Sequence, residues 1–210
     1  SIERLDKPVA RPRRSAADLQ ARLKTLSTMV DMMALMFVDH VEKLRAEGYV
    51  NKVKTFDITS AGGLVGQFYY EGAYDLAPDE ALIVESDVPK VCRYRSLILT
   101  NEIYETTDWY NNHSSLNQTQ AAPDSDGKLR IVIANRDPGV ANWLDTAGHA
   151  KGLIQGRWME CDSHPVPVVT KVKLGELKVH LPAGTKMVTP EERQAIIRER
   201  RAAYVQRPVW

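Results

Sequence analysis

From residue 18 to about residue 47, apolar side chains recur every three or four positions: Leu19, Leu23, Leu26, Met29, Val30, Met33, Met36, Phe37, Val41 and Leu44. On a helix these positions share one face. Ser15 or Asp18 can cap the start, and Gly48, which tolerates a left-handed backbone, can end it. Met32 and Leu35 add apolar groups on the other flank, so the middle of the helix is expected to meet more than one surface. A dimer contact or a neighbouring domain would supply the second surface; one helix packed on its own sheet is the competing arrangement.

After Gly48 the pattern changes to short runs rich in Val, Ile, Tyr and Thr between turn residues. They are VKTFDIT (53–59), LVGQFYY (64–70), ALIVES (81–86), VCRYRSLILT (91–100), LRIVIAN (129–135), GLIQGRWMEC (152–161) and VVTKVKL (168–174). Runs of this kind with no helix between them predict a mainly β chain, an antiparallel β-sandwich of jelly-roll-like form, and disfavour a parallel doubly wound sheet. The segment 189–206 reads as a closing helix, with Thr189 as cap, Pro190 at its first position and arginines on a solvated face. The expected divisions are a basic arm and long amphipathic helix (1–48), a β-sandwich (49–188), and a C-terminal helix and tail (189–210).

Composition narrows the partners. Lys and Arg total 28 against 27 Asp and Glu, so no global field gathers nucleic acid or an anionic membrane, and neither partner is expected. The apolar run 29–38 is too short to span a bilayer. The opening segment lacks the apolar core of a secretory signal, which makes the cytoplasm the default location. Cys92 and Cys161 lie far apart in apolar, strand-like surroundings and read as buried free thiols in a reducing compartment.

Candidate chemistry concentrates in three places. The connection RDPGVANWLDTAGHAKG (136–152) is long for an unstructured loop, and such loops tend to be functional or tightly self-packed. Within it Asp145 and His149 are four apart; on a helical turn they would share a face, and the carboxylate would orient the imidazole as a general acid or base. Asp145 capping local amides is the plainer alternative. Arg93 and Arg95 alternate along one strand, Arg157 is expected alongside, and Arg136 adds a fourth guanidinium for an anionic substrate, unless salt bridges to Asp108, Asp137 or Asp145 absorb them. The loop 108–120 mixes Trp109, His113 and Asn117 with hydroxyls and amides, as recognition loops do. Cys161-x-x-His164 has no second pair at zinc spacing, and SAGGLVGQ (60–67) precedes a strand rather than a helix, so neither a metal nor a nucleotide cofactor is expected.

The runs YDLAPDEALIVESDVPKVCRYRSLILTNEIYETTDWYNNHSSLNQTQA and DGKLRIVIANRDPGVANWLDTAGHAKGLIQGRW resemble the bacterial family called domain of unknown function 1214. The resemblance covers roughly residues 63–174. It implies a β-sandwich, often the C-terminal half of a larger protein whose other half is called domain of unknown function 1254. By motif match it points to Asn117, Arg136, Asp137, Asn142, Trp143, Asp145, His149 and Arg157, and it implies no reaction.

The expectation from sequence is therefore an enzyme that needs no cofactor and acts on a small organic molecule with an anionic or carbonyl group, of hydrolase, lyase or isomerase type. His149 and Asp145 would be catalytic. Arg136, Arg157, Arg93 and Arg95 would hold the anion, and Trp143, Asn142, Trp109, His113 and Asn117 would line the pocket. The alternative is a non-catalytic ligand-binding or assembly module, and in either case homo-oligomerisation through the Met-rich helix is expected.

Overall fold

A computed structural model describes residues 13–57 and 66–206. A 31-residue helix, α1 (Ala16–Ala46), is capped by the Ser15 hydroxyl, which accepts from the Asp18 amide. The strands follow: β1 (Lys54–Phe56), β2 (Gln67–Asp75), β3 (Glu80–Ser86), β4 (Cys92–Thr100), β5 (Ser115–Asn117), β6 (Leu129–Ala134), β7 (Trp143–Asp145), β8 (Lys151–Cys161) and β9 (Val168–Lys173). A short 3-10 helix (Leu174–His180) and α2 (Pro190–Val205) complete the chain. Thr189 and Glu192 form the capping box that starts α2. The turn expected over residues 60–67 lies mostly outside the described residues.

The strands form two sheets, one of order β1-β2-β8-β4-β5 and one of order β7-β6-β3-β9. All pairings are antiparallel except β6 with β7. Inward residues of both sheets meet in one core: Tyr70, Tyr74, Leu97, Leu99, Ile154 and Trp158 from the first, with Leu82, Val84, Leu129, Ile131, Ile133 and Leu144 from the second. The period-two alternation of each strand puts these residues on one face and leaves the intervening ones outward. On the second sheet that outer face is covered by Val140, Leu177 and Leu181 against Ala81, Ile83, Val132 and Trp143.

The outer face of the first sheet receives α1. Val41 and Leu44 pack on Ala73 and Leu153. Beside them the buried Glu71 carboxylate bonds His40 Nε2 at 2.8 Å and accepts from the Tyr104 hydroxyl at 2.5 Å. A buried carboxylate needs such partners, and here they tie the root of the helix to the sheet. Phe37 meets the Tyr104 ring at 5.2 Å, and along the preceding turns Leu19, Leu23, Leu26, Met29, Val30, Met32, Met33, Leu35 and Met36 are all exposed among the described residues. No helix among the described residues is long and apolar enough to cross a membrane.

The cysteines correct the sequence reading. Cys92 and Cys161 are register partners on β4 and β8 and form a disulfide, so they are not free thiols. The sequence separation of 69 hid the pairing, because adjacency across a sheet is invisible in linear spacing.

Candidate functional site

The outward residues of β4 near its β5 edge, Tyr94, Ser96 and Ile98, form the floor of a recess of about 370 Å³. The segment between β4 and β5 supplies Trp109 and Ser114, β5 supplies Ser115 and Asn117, and the end of α2 supplies Arg200 and Tyr204. Helix α2 reaches the recess because Arg193, Ile197, Arg200 and Tyr204 follow one another at four, three and four residues, a stripe along one side of the helix. Arg193 and Ile197 are buried, and Arg200 is half-buried. The Trp109 and Tyr204 rings meet edge to face at 5.1 Å and make an aromatic wall.

The electrostatics of the recess are one-sided. Arg200 donates from Nη1 to the Ser115 hydroxyl and from Nη2 to the Ser115 carbonyl, both at 2.7 Å. Its Nε is buried without a partner, and no carboxylate pairs with it among the described residues. Burial, aided by the Arg193 charge, pulls its pKa below the usual arginine value. Ser114, 1% exposed, also carries a buried hydroxyl with no partner. A guanidinium withdrawn from water, held by neutral oxygens alone, costs free energy that an arriving anion recovers.

Behind this wall lies the group that fixes α2. Arg193 pairs with Asp137 at 2.8 Å, donates to the Val140 carbonyl, and lies over the Trp143 ring at 5.0 Å. His113, 3% exposed, donates from Nδ1 to the Trp143 carbonyl, with Arg193 Nη1 3.4 Å away. Desolvation first, then the Arg193 charge, lowers its pKa to about 4. His113 is thus a neutral structural group beside Ser114.

Of the residues expected from sequence, Trp109 and Asn117 line the recess and His113 supports it. Arg157 stands opposite Ser96 on the outer face and lies over the Tyr69 ring at 4.9 Å. This places it across the sheet from Arg95, because Arg95 is registered with Trp158 and turns toward Tyr70 and the Ala121 carbonyl. The four arginines therefore do not converge. Arg93 pairs with Glu160 at 2.9 Å, and Arg136 is exposed and donates to the Pro78 carbonyl at 3.1 Å.

The connection 136–152 is fastened to the second sheet and its neighbours rather than open as a pocket wall. Asn142 donates to the carbonyls of Ala122 and Arg130, Trp143 is buried with Nε1 donating to the Ala134 carbonyl, and Asp145 accepts from the Ala147 amide at 2.8 Å. No hydrogen bond joins Asp145 to His149. Asp145 ends a strand, and Ala147 and Gly148 have φ of 52° and 86°, so the helical turn that would align the pair does not form. His149 is exposed, and burial raises the Asp145 pKa.

The residues missed were Arg200, Tyr94 and Tyr204, while Ser114 belongs to the loop 108–120 that the sequence singled out. The arginines of α2 were expected in solvent; the 193-197-200-204 spacing was the available signal.

No family model matches the chain, and no curated protein matches it. Among solved structures, an uncharacterized protein from Burkholderia cenocepacia is similar over 82% of this chain at 32% identity, with a TM-score of 0.75. The chain spans about half of that protein, 48% of its length. A protein from Vibrio parahaemolyticus is 18% identical over 55% of this chain and 34% of its own, with a TM-score of 0.44.

Proposed function

We propose that this domain binds a small organic anion in the recess between β4, β5 and α2, with Arg200 receiving its carboxylate or phosphate head and the Trp109-Tyr204 wall receiving its apolar part. The observation that carries this reading is the half-buried Arg200 guanidinium, which has no carboxylate partner among the described residues. Ser114 adds an unused hydroxyl within the same wall. Binding is favoured over the acid-base enzyme expected from Asp145 and His149, because among the described residues no His, Asp or Glu lines the recess.

The same reading takes the chain as a member of the domain of unknown function 1214 family and the two sheets as a jelly-roll-like sandwich. The motifs that carry the resemblance fall on β5, β6, β7 and β8 around the shared core, which supports it. The disulfide favours an oxidising compartment over the cytoplasm, where such bonds are rare.

The test is a thermal-shift and calorimetric screen of small carboxylates and organic phosphates. A true ligand at about one hundred times its Kd stabilises the fold by about 2.7 kcal/mol. Arg200→Gln should weaken that ligand at least about tenfold, the scale of one lost charge-assisted bond. Its unliganded stability should stay within about 1 kcal/mol, since losing two bonds to Ser115 is offset by removing an unpaired charge. Anion binding that survives Arg200→Gln would place the ligand elsewhere, and a screen with no anionic hit would sink the reading.

A further inference from the structure

Helix α1 carries a seam that its own domain uses only at Phe37, whose ring meets that of Tyr104 at 5.2 Å. Leu19, Leu23, Leu26, Val30, Met33 and Phe37 are separated by four, three, four, three and four residues, the 3.5-residue repeat of a coiled coil rather than the drifting stripe of a surface helix. All six are exposed, between 36% and 68%. The same line continues into Val41 and Leu44, which are buried on the sheet, so the free seam extends a contact that already exists at the helix root. The stretch 16–36 projects about 30 Å beyond that root.

We propose that this seam is covered by the α1 helix of a second copy of the chain, running antiparallel. Three observations select this occupant. The six seam positions are symmetric about residue 28: Leu19 would meet Phe37, Leu23 would meet Met33 and Leu26 would meet Val30 of the second copy, an unbroken set of layers. The charges are divided along the helix. Residues 13–24 hold Arg13, Arg14, Arg22 and Lys24 against Asp18, while residues 25–42 hold Asp31, Asp39 and Glu42 with no Lys or Arg. An antiparallel pair sets the basic half of each helix beside the acidic half of the other; a parallel pair would set like beside like. Finally, the six seam side chains with flanking Met29 and Met36, each roughly half exposed, offer on the order of 500 Å² per copy, which reaches the roughly 1,000 Å² total of a specific interface. The two sheet bodies then sit at opposite ends of the pair.

Sedimentation or light-scattering mass of the whole chain at micromolar concentration should give twice the chain mass. The Leu26→Glu, Val30→Glu double variant replaces exposed residues, so the near-ultraviolet circular dichroism of the sheet body should persist. Its dimer affinity should fall at least about 100-fold, the loss of two apolar layers. Orientation is read by oxidative cross-linking: a mixture of Leu23→Cys and Met33→Cys chains should join as heterodimers, while Leu23→Cys alone should not join to itself, because disulfide reach ends near 7 Å between Cα atoms. A monomer at every concentration, or a dimer indifferent to the two glutamates, would overturn the proposal. Self-joining of Leu23→Cys would overturn the antiparallel pairing.

Discussion

At the scale of single residues, His113 makes the fold's stability depend on acidity. Its folded pKa of about 4 lies below the ordinary 6.5, so the native state holds it neutral while the unfolded chain takes up a proton. The stabilisation is fully present above about pH 6.5 and is lost as pH falls toward 4, by on the order of 3 kcal/mol. Asp145, whose pKa is raised by burial, works in the opposite direction and softens the slope. Denaturant melts between pH 7 and pH 4.5 should show this decline, and His113→Phe should flatten it; an unchanged slope would assign it to other groups. The residue types of the site were legible in the sequence, but their company was not. Trp109 and Asn117 stood out as recognition residues, and both line the recess. Asp145 and His149 were paired by a helical spacing that two left-handed residues cancel. Arg157 was assigned to the face of Arg95, and a register one residue away puts it on the other. In a strand that single step exchanges core for solvent.

At the scale of elements, the strands that alternate over six or more residues were legible, whereas β5 and β7, three residues each, are too short to show a period. What fixes the long strands against one another is close packing at particular glycines. Gly156 of β8 lies under the Tyr70 ring, where an added Cβ would stand 1.8 to 2.4 Å from three ring carbons. Tyr70 is buried, so its ring has no free volume to retreat into. Gly156→Ala should therefore destabilise the protein by about 3 kcal/mol, measured by denaturant unfolding. Pairing it with Tyr70→Leu should recover part of the loss. Equal stabilities for the single variant and the parent would show that β8 can shift without cost. Helix α1 was legible in extent from its apolar spacing, but where it docks was not. Only its last turns meet the sheet, because the Glu71, His40 and Tyr104 contact brings together residues from three separate segments.

For the whole molecule, the mainly β architecture followed from the run of strands, while the grouping into sheets of five and four, with one parallel pair, depends on long-range pairing that no local pattern encodes. The covalent link between β4 and β8 belongs to the same class of hidden information. Its presence is checked by counting thiols on the denatured, unreduced chain, where none should react and two should appear after reduction. The span it encloses has a further meaning. Every residue lining the recess, apart from those of α2, lies between Cys92 and Cys161. The exposed turn at Asp126 and Gly127 lies inside that span as well and is open to a protease. A chain cut there remains one molecule: it should run as a single band until reductant is added and as two afterwards. Peptide-bond integrity and molecular integrity are thus separate properties of this protein, and damage to the backbone at that turn does not release the strands on which the recess is built.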